Sequence, residues 1–358
     1  MLLATLCQCE RYISSGIILI EAQPNIIERF PMDTPDTAYD GADSWMKQKY
    51  ATLKPYINIA RPDHWFKNVF MLPGLLLALA LGATLPDNYM WVFIAGIVSV
   101  CLIASANYTI NEWLDAEFDR HHPVKKNRPS VSGAIKPQFV VLQWLLLSAA
   151  GLYLSHLIKV EFLIANAALL VMGILYNVNP IRTKDRVYID VLSEAINNPL
   201  RFLLGWYLVV APLIPPSSVL LSYWMGGAFL MAVKRYAEYR VIDDPARAGL
   251  YRKSFVSYTE EKLLLSAFFY ALMSAVFLGV FLVKYKIEFL LTLPLFAILF
   301  VWYLYIGMQT NSVSQAPEKL YKQKKFVTFV TILGVVAVGV LFMELPWLNV
   351  LLEVHQPN

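Results

Sequence analysis

The sequence predicts an all-α, polytopic membrane protein of about nine transmembrane helices. Three observations predict it. Of 358 residues, 58% are hydrophobic and only 16% are charged, against about 25% charged in a soluble domain. Mean hydropathy is +0.51. Apolar runs of about 18 or more residues, the length that crosses a bilayer core, recur along the chain.

Residues 1–55 begin MLLATLCQCERYISSGIILIEAQ, which lacks a basic start followed by a continuous apolar core and so does not read as a signal peptide. They read as a polar arm that ends in an interfacial helix, SWMKQKYATLKPYI, ahead of a transmembrane domain over 56–358. Cys7, Cys9 and Cys101 are too few for a disulfide framework, and Cys7-x-Cys9 has neither metal nor redox spacing. Cys101 sits in an apolar run as a small packed hydrophobe.

The predicted spans are 66–84, 90–110, 138–156, 160–177, 191–213, 217–234, 263–283, 288–307 and 326–343. With the arm inside, nineteen Lys and Arg fall in the inner connections and three, Lys159, Lys284 and Lys286, in the outer ones. Basic residues stay on the cytoplasmic side, so the arm and the long connections are predicted to be cytoplasmic, in a plasma (inner) membrane. Any chemistry belongs on that face.

The connection after the second span reads NEWLDAEFDRHHPVKKNRP. Asn111, Asp115 and Asp119 are spaced i, i+4, i+8, and Glu112 falls on the same helical face. Stacked acids destabilise a bare helix. They make sense around a divalent cation, and Mg2+ is the usual choice where substrate phosphates complete the coordination. His122, Lys125, Lys126 and Arg128 follow at once, and a cationic loop beside an acidic metal face suits a diphosphate. A plain juxtamembrane loop would account for the bases but not for acids at helical spacing.

A second stripe, Asp190, Glu194, Asn197/Asn198 and Arg201, lies largely inside the fifth span. Ionisable groups there face a cavity or a partner, so the stripe reads as part of the site, the bland alternative being a Glu194–Arg201 brace. Tyr176, Arg182 and Lys184 stand at its mouth. Arg61, Lys67 and Asn68 open the first span, where the two bases could equally be headgroup anchors. The long connection after the sixth span brings Lys234, Arg235, Glu238, Tyr251 and Arg252. The run PEKLYKQKK reads as an orientation patch.

Asn111-Glu112-x-x-Asp115-x-x-x-Asp119 resembles the Asn-Asp-x-x-Asp-x-x-x-Asp signature of the UbiA superfamily of intramembrane prenyltransferases, with Glu112 and later Glu194 standing where many members have Asp. RPDHWFKN, DRHHPVKKNRPSVSGAI, DVLSEAINNPLR and KRYAE…YRKSFVSYTEEKLL are similar to the branch of decaprenyl-phosphate phosphoribosyltransferases, over roughly residues 58–345. The resemblance implies a UbiA-like helical bundle and Mg2+-dependent transfer of 5-phosphoribose from phosphoribosyl diphosphate to a polyprenyl phosphate, for cell-envelope glycan precursors. It implies Asp115, Asp119 and Asp190 as catalytic, with Asn111, Glu112, Asp115 and Asp119 on the metal. It implies substrate binding by Lys67, Asn68, His122, Lys125, Arg128, Tyr176, Lys184, Glu194, Arg201, Lys234, Arg235, Tyr251 and Arg252. Asp190 is left open between a second metal and a ribose hydroxyl. Isoprenyl-diphosphate-dependent transfer to an aromatic or lipid acceptor is the alternative. An anionic-lipid transporter is disfavoured because, apart from Glu194 and Arg201, the charges lie on one face. No nucleic-acid partner is expected.

Overall fold

In the computed structural model the described residues are 53–121, 125–242, 245–310, 312–315 and 317–348, all within one unit, Tyr50–Asn358. The predicted arm, apart from its last three residues, and His122 lie outside them. The described residues are helical or irregular, without strands. The helices are α1 Leu72–Ala80, α2 Tyr89–Leu114, α3 Pro137–Ile158, α4 Val160–Asn177, α5 Ile189–Ala195, α6 Asn197–Tyr207, α7 Ser217–Ile242, α8 Pro245–Tyr251, α9 Glu260–Tyr285, α10 Leu293–Met308 and α11 Lys324–Phe342.

Six helical segments among the described residues are long and apolar enough to cross a membrane: α2, α3, α4, α9, Ile287–Met308 and α11. The other three predicted spans are helical but not simple. The first is a 3-10 segment, Pro62–Met71, running into α1, with Pro73 in the first turn of α1, where a missing N–H costs nothing. The fifth breaks into α5 and α6 because Pro199 has no N–H to give the Ala195 carbonyl four residues back. The sixth, α7, runs beyond its predicted end to Ile242 and carries Lys234, Arg235 and Glu238 within one helix.

Between apolar helices in lipid, close approach and buried hydrogen bonds replace the hydrophobic drive. α7 and α9 are stapled by reciprocal bonds, Ser222 Oγ to the Ser274 carbonyl and Ser274 Oγ to the Ser222 carbonyl, both 2.9 Å. α2, α3 and α4 meet where Asn166 Nδ2 donates to Ser99 Oγ at 2.8 Å and Ser155 Oγ at 2.9 Å. α1 and α6 cross through glycines: a Cβ on Gly74 would strike the Phe202 carbonyl, and one on Gly205 the Met71 carbonyl. Leu142, Leu145, Leu146 and Tyr153 of α3 remain exposed, the outward face that a lipid-embedded helix presents.

Candidate active site

The end of α2 sets the first motif. The helix closes at Leu114, yet Asp115 N–H bonds the Asn111 carbonyl at 3.0 Å and Asp119 N–H the Asp115 carbonyl at 2.8 Å, so helical spacing survives through the Ala116–Asp119 turn. Asp115 and Asp119 line one pocket with Phe118, Lys125, Arg182, Lys184, Asp185, Tyr251, Arg252 and Lys253. Asp115 Oδ1 accepts from Lys184 Nζ and, at 3.1 Å, from Arg182 Nη2. Asn111 Nδ2 reaches Asp115 Oδ2 at 3.3 Å and Asn177 Oδ1 at 2.6 Å, and Lys184 Nζ also bonds Asn177 Oδ1 at 2.8 Å. Asn111 and Lys184 thus hold the two oxygens of Asp115 and share Asn177 Oδ1.

Arg128 Nη1 donates to Asp119 Oδ2 at 2.6 Å, and its Nε lies 3.8 Å from Glu112 Oε2. Glu112 Oε1 is buried with no hydrogen-bond partner. Burial raises the Asp119 carboxyl above its ordinary value against the pull of Arg128. Burial acts on Asp115 as well, but Lys184 outweighs it and holds that carboxyl below its ordinary value. Burial also pushes the ammonium groups of Lys125 and Lys184 down to about 8. Lys125 Nζ donates to Tyr251 Oη.

The second stripe is not one continuous face. Asp190, fully buried, accepts from Tyr258 Oη at 2.7 Å and Ser254 Oγ at 3.1 Å, with Arg235 Nε 3.5 Å and Arg252 Nη1 4.0 Å away. Glu194 Oε2 accepts from Arg235 Nη2 at 2.5 Å and Tyr176 Oη at 2.8 Å. Arg235 Nη1 bonds Glu238 at 3.1 Å, so one guanidinium serves three carboxylates. No Glu194–Arg201 brace forms: beyond the break Arg201 turns to Asn68, with Nε 3.0 Å from Oδ1. Asp190 and Arg235 form a buried lattice behind the pocket, with Arg252 joining lattice to pocket.

Of the predicted residues, Asp115, Asp119, Lys125, Lys184, Tyr251 and Arg252 line the pocket. Asn111, Glu112, Arg128, Tyr176, Asp190, Glu194 and Arg235 lie against or behind these residues. Lys67, Asn68, Arg201 and Lys234 are not among the pocket residues. Phe118, Asp185 and Lys253 line the pocket without having been singled out, and Arg182 is deeper in the site than its place at the mouth implied. The available signal was the polar run NPIRTKDR, where Arg182 adopts φ 28°, a conformation rare for any residue but glycine.

Among the described residues no three His, Cys, Asp or Glu converge on one metal position. Mg2+ needs less, being held commonly by one or two carboxylates with substrate phosphates and water completing the shell. The hard oxygens of Asp115 and Asp119 on one pocket, with the orphaned Glu112 Oε1 beside Arg128, fit that requirement.

The model of the UbiA prenyltransferase family matches residues 69–327. The chain belongs to this family. Among its curated relatives, the decaprenyl-phosphate phosphoribosyltransferase of Mycolicibacterium smegmatis is 34% identical over 218 residues, covering 58% of this chain and 63% of that one. The Mycobacterium tuberculosis (H37Rv) protein of the same name is 30% identical over 213 residues, 58% and 67% of the two chains. The match thus spans about two thirds of the length of these relatives. A UbiA homologue from Archaeoglobus fulgidus, solved with DMAPP and Mg2+, superposes with a TM-score of 0.60 at 22% identity, over 80% of this chain and 97% of that one. Its complex with GPP and Mg2+ gives 0.60 at 21% identity, over 78% and 99%. The expected UbiA-like bundle is the fold observed, and the chain is an integral membrane protein of a transferase family.

Proposed function

We propose that this UbiA-family protein transfers 5-phosphoribose from phosphoribosyl diphosphate to a polyprenyl phosphate and releases diphosphate. The observation that carries the reading is a pocket walled by Lys125, Arg182, Lys184, Arg252 and Lys253 around two carboxylates. That charge pattern suits a small polyanion, and the identity to two phosphoribosyltransferases by name supports the same choice. An allylic donor would need an apolar channel beside its diphosphate, whereas the carbon-rich walls among the described lining residues are the rings of Phe118 and Tyr251.

Asp115 and Asp119, with Asn111 and Glu112 beside them, would hold Mg2+, which supplies counter-charge to a departing diphosphate. Lys184 and Arg182 fix Asp115, and Arg128 fixes Asp119, so both carboxylates are oriented before the donor arrives. Lys125, Arg252 and Lys253 stabilise negative charge that grows on the leaving group. The C1–O bond to diphosphate breaks, the diphosphate keeps the electron pair, and a lipid phosphate oxygen forms the new bond to C1. That oxygen is already ionised near neutral pH, so no general base is required. The Asp190–Arg235 lattice positions Arg252 instead of touching the reacting atoms. The basic connections face the cytoplasm, where the soluble donor is found.

Asp115→Asn tests the metal assignment. It keeps the bond to Lys184 but removes a hard anionic ligand, and turnover should fall at least about a hundredfold while expression and monodispersity persist. Full activity in that variant would contradict the assignment.

A further inference from the structure

Arg128, Arg182, Lys184, Arg235 and Arg252 all face carboxylates, but three other cations of the bundle do not. Arg61 bonds His64 Nε2 at 2.6 Å. Arg201 donates Nε to Asn68 Oδ1 at 3.0 Å and Nη1 to the Asn197 carbonyl at 3.3 Å. Lys234 makes neither hydrogen bond nor ion pair among the described residues. The nearby Glu194 and Glu238 are committed to Arg235, at 2.5 and 3.1 Å. Arg201 is buried and Arg61 and Lys234 are half-buried, and cations withdrawn from water without a counter-ion inside a membrane protein mark sites for an anion.

Tyr108 lies in electrostatic reach of all three, and of Glu194. The Arg61 guanidinium is 5.7 Å from the Tyr108 ring centroid, and the His64 ring packs edge-on against it at 5.1 Å. Arg61 and Lys67 approach the two ring nitrogens of His64 at 2.6 and 2.9 Å. Asp63 Oδ2 lies 3.4 Å from His64 Nε2, so one exposed carboxylate shares the ring with the two cations. Arg61 holds φ 50°, ψ 58° immediately before Pro62, a strained conformation of the kind kept at ligand sites.

The segment that carries part of the cluster has an outward face. On the Pro62–Met71 segment His64 and Asn68 point inward, whereas Trp65, Phe66 and Val69 are exposed by 42%, 51% and 53%. Trp65 Nε1 bonds Ser105 Oγ at 2.9 Å, an arrangement typical of an aromatic at the headgroup level.

We infer that the phosphate monoester of the lipid acceptor binds among Arg61, Tyr108, Lys234 and Arg201, a subsite separate from the Asp115 pocket. That a lipid acceptor brings the phosphate rests on the function proposed above; that the cluster takes an anion does not. Arg128 is bonded to Asp119 and is in electrostatic reach of His64, which ties the donor pocket to the cluster. A monoester carries a charge of about −1.5 to −2 on three acceptor oxygens, a match for three unneutralised cations and a hydroxyl.

The test uses the full chain in nanodiscs, with Lys234→Gln, Arg61→Gln and Lys234→Arg. Binding of a polyprenyl phosphate is compared with that of the matching polyprenol without donor, and KM is then measured for the lipid and for phosphoribosyl diphosphate. The wild type should prefer the phosphorylated lipid by at least about tenfold. Lys234→Gln and Arg61→Gln should lose that preference and raise lipid KM about tenfold, with donor KM within about twofold and Lys234→Arg close to wild type. If Lys234→Gln also loses polyprenol binding it has misfolded, and Arg61→Gln then decides alone. An unchanged preference in the folded Gln variants overturns the subsite, as does a rise in donor KM instead of lipid KM, which would give the cluster to the donor's own phosphate. Preferential binding of the phosphorylated lipid without any phosphoribosylated product would leave the subsite standing and remove the donor.

Discussion

Lys125 and Lys184 show what burial does to single residues of the site. Both are pushed down to about 8 by loss of water, Lys125 against the pull of Glu238 and Lys184 against that of Asp115. Each ammonium is present below that value and lost as pH rises through it. We therefore expect kcat/KM for the donor to be flat below pH of about 8 and to fall above it, with a limiting slope near about two protons. A guanidinium stays charged above about 12, so Lys125→Arg should reduce the slope toward about one. A slope of two protons that survives the substitution would take Lys125 out of donor binding. The acids at 111, 112, 115 and 119 were legible from spacing alone, because helical periodicity is local. The partners of those acids were not: Lys184 and Arg182 reach Asp115 from a separate connection, and only packing brings them together.

Among the elements, the crossing of α1 and α6 ties membrane packing to the site. Gly74 and Gly205 let the two backbones touch, and on the same contact Arg201 of α6 bonds Asn68 just before α1. A Cβ at Gly205 would strike the Met71 carbonyl, which is backbone and cannot swing aside. Gly205→Ala should therefore destabilise the protein by about 1–3 kcal/mol, read as a lower Tm in detergent. Gly279→Ala, where a Cβ meets nothing within 4 Å, is the matched control and should leave Tm unchanged or slightly raised. Uninterrupted apolar runs predicted α2, α3, α4, α9 and α11 closely, since length and hydropathy decide a span. The 3-10 start of the first span was hidden because its apolar run continues across Pro73, and the break in the fifth because apolar residues on both sides of Asn197-Asn198-Pro199 together have the length of one span. With α5 and α6 split, the predicted stripe divides, Glu194 going to Arg235 and Arg201 to Asn68.

For the whole molecule, the charge asymmetry of the connections carries the orientation. Lys253 is exposed by 60% at the pocket rim, so Lys253→Cys in a Cys7/Cys9-free background gives one accessible thiol beside the buried Cys101. A membrane-impermeant maleimide should label it in inside-out vesicles and not in intact cells or right-side-out vesicles. Labelling in intact cells would invert the topology and put the donor pocket on the wrong side of the membrane.

The most direct measurement offers the purified protein, in nanodiscs with Mg2+, two substrate pairs: polyprenyl phosphate with phosphoribosyl diphosphate, and an aromatic acid with an isoprenyl diphosphate. Mass spectrometry of the lipids should find phosphoribosylated polyprenyl phosphate from the first pair, abolished by EDTA, and nothing from the second. A prenylated aromatic acid with no phosphoribosylated lipid would contradict the proposed reaction and leave only the family.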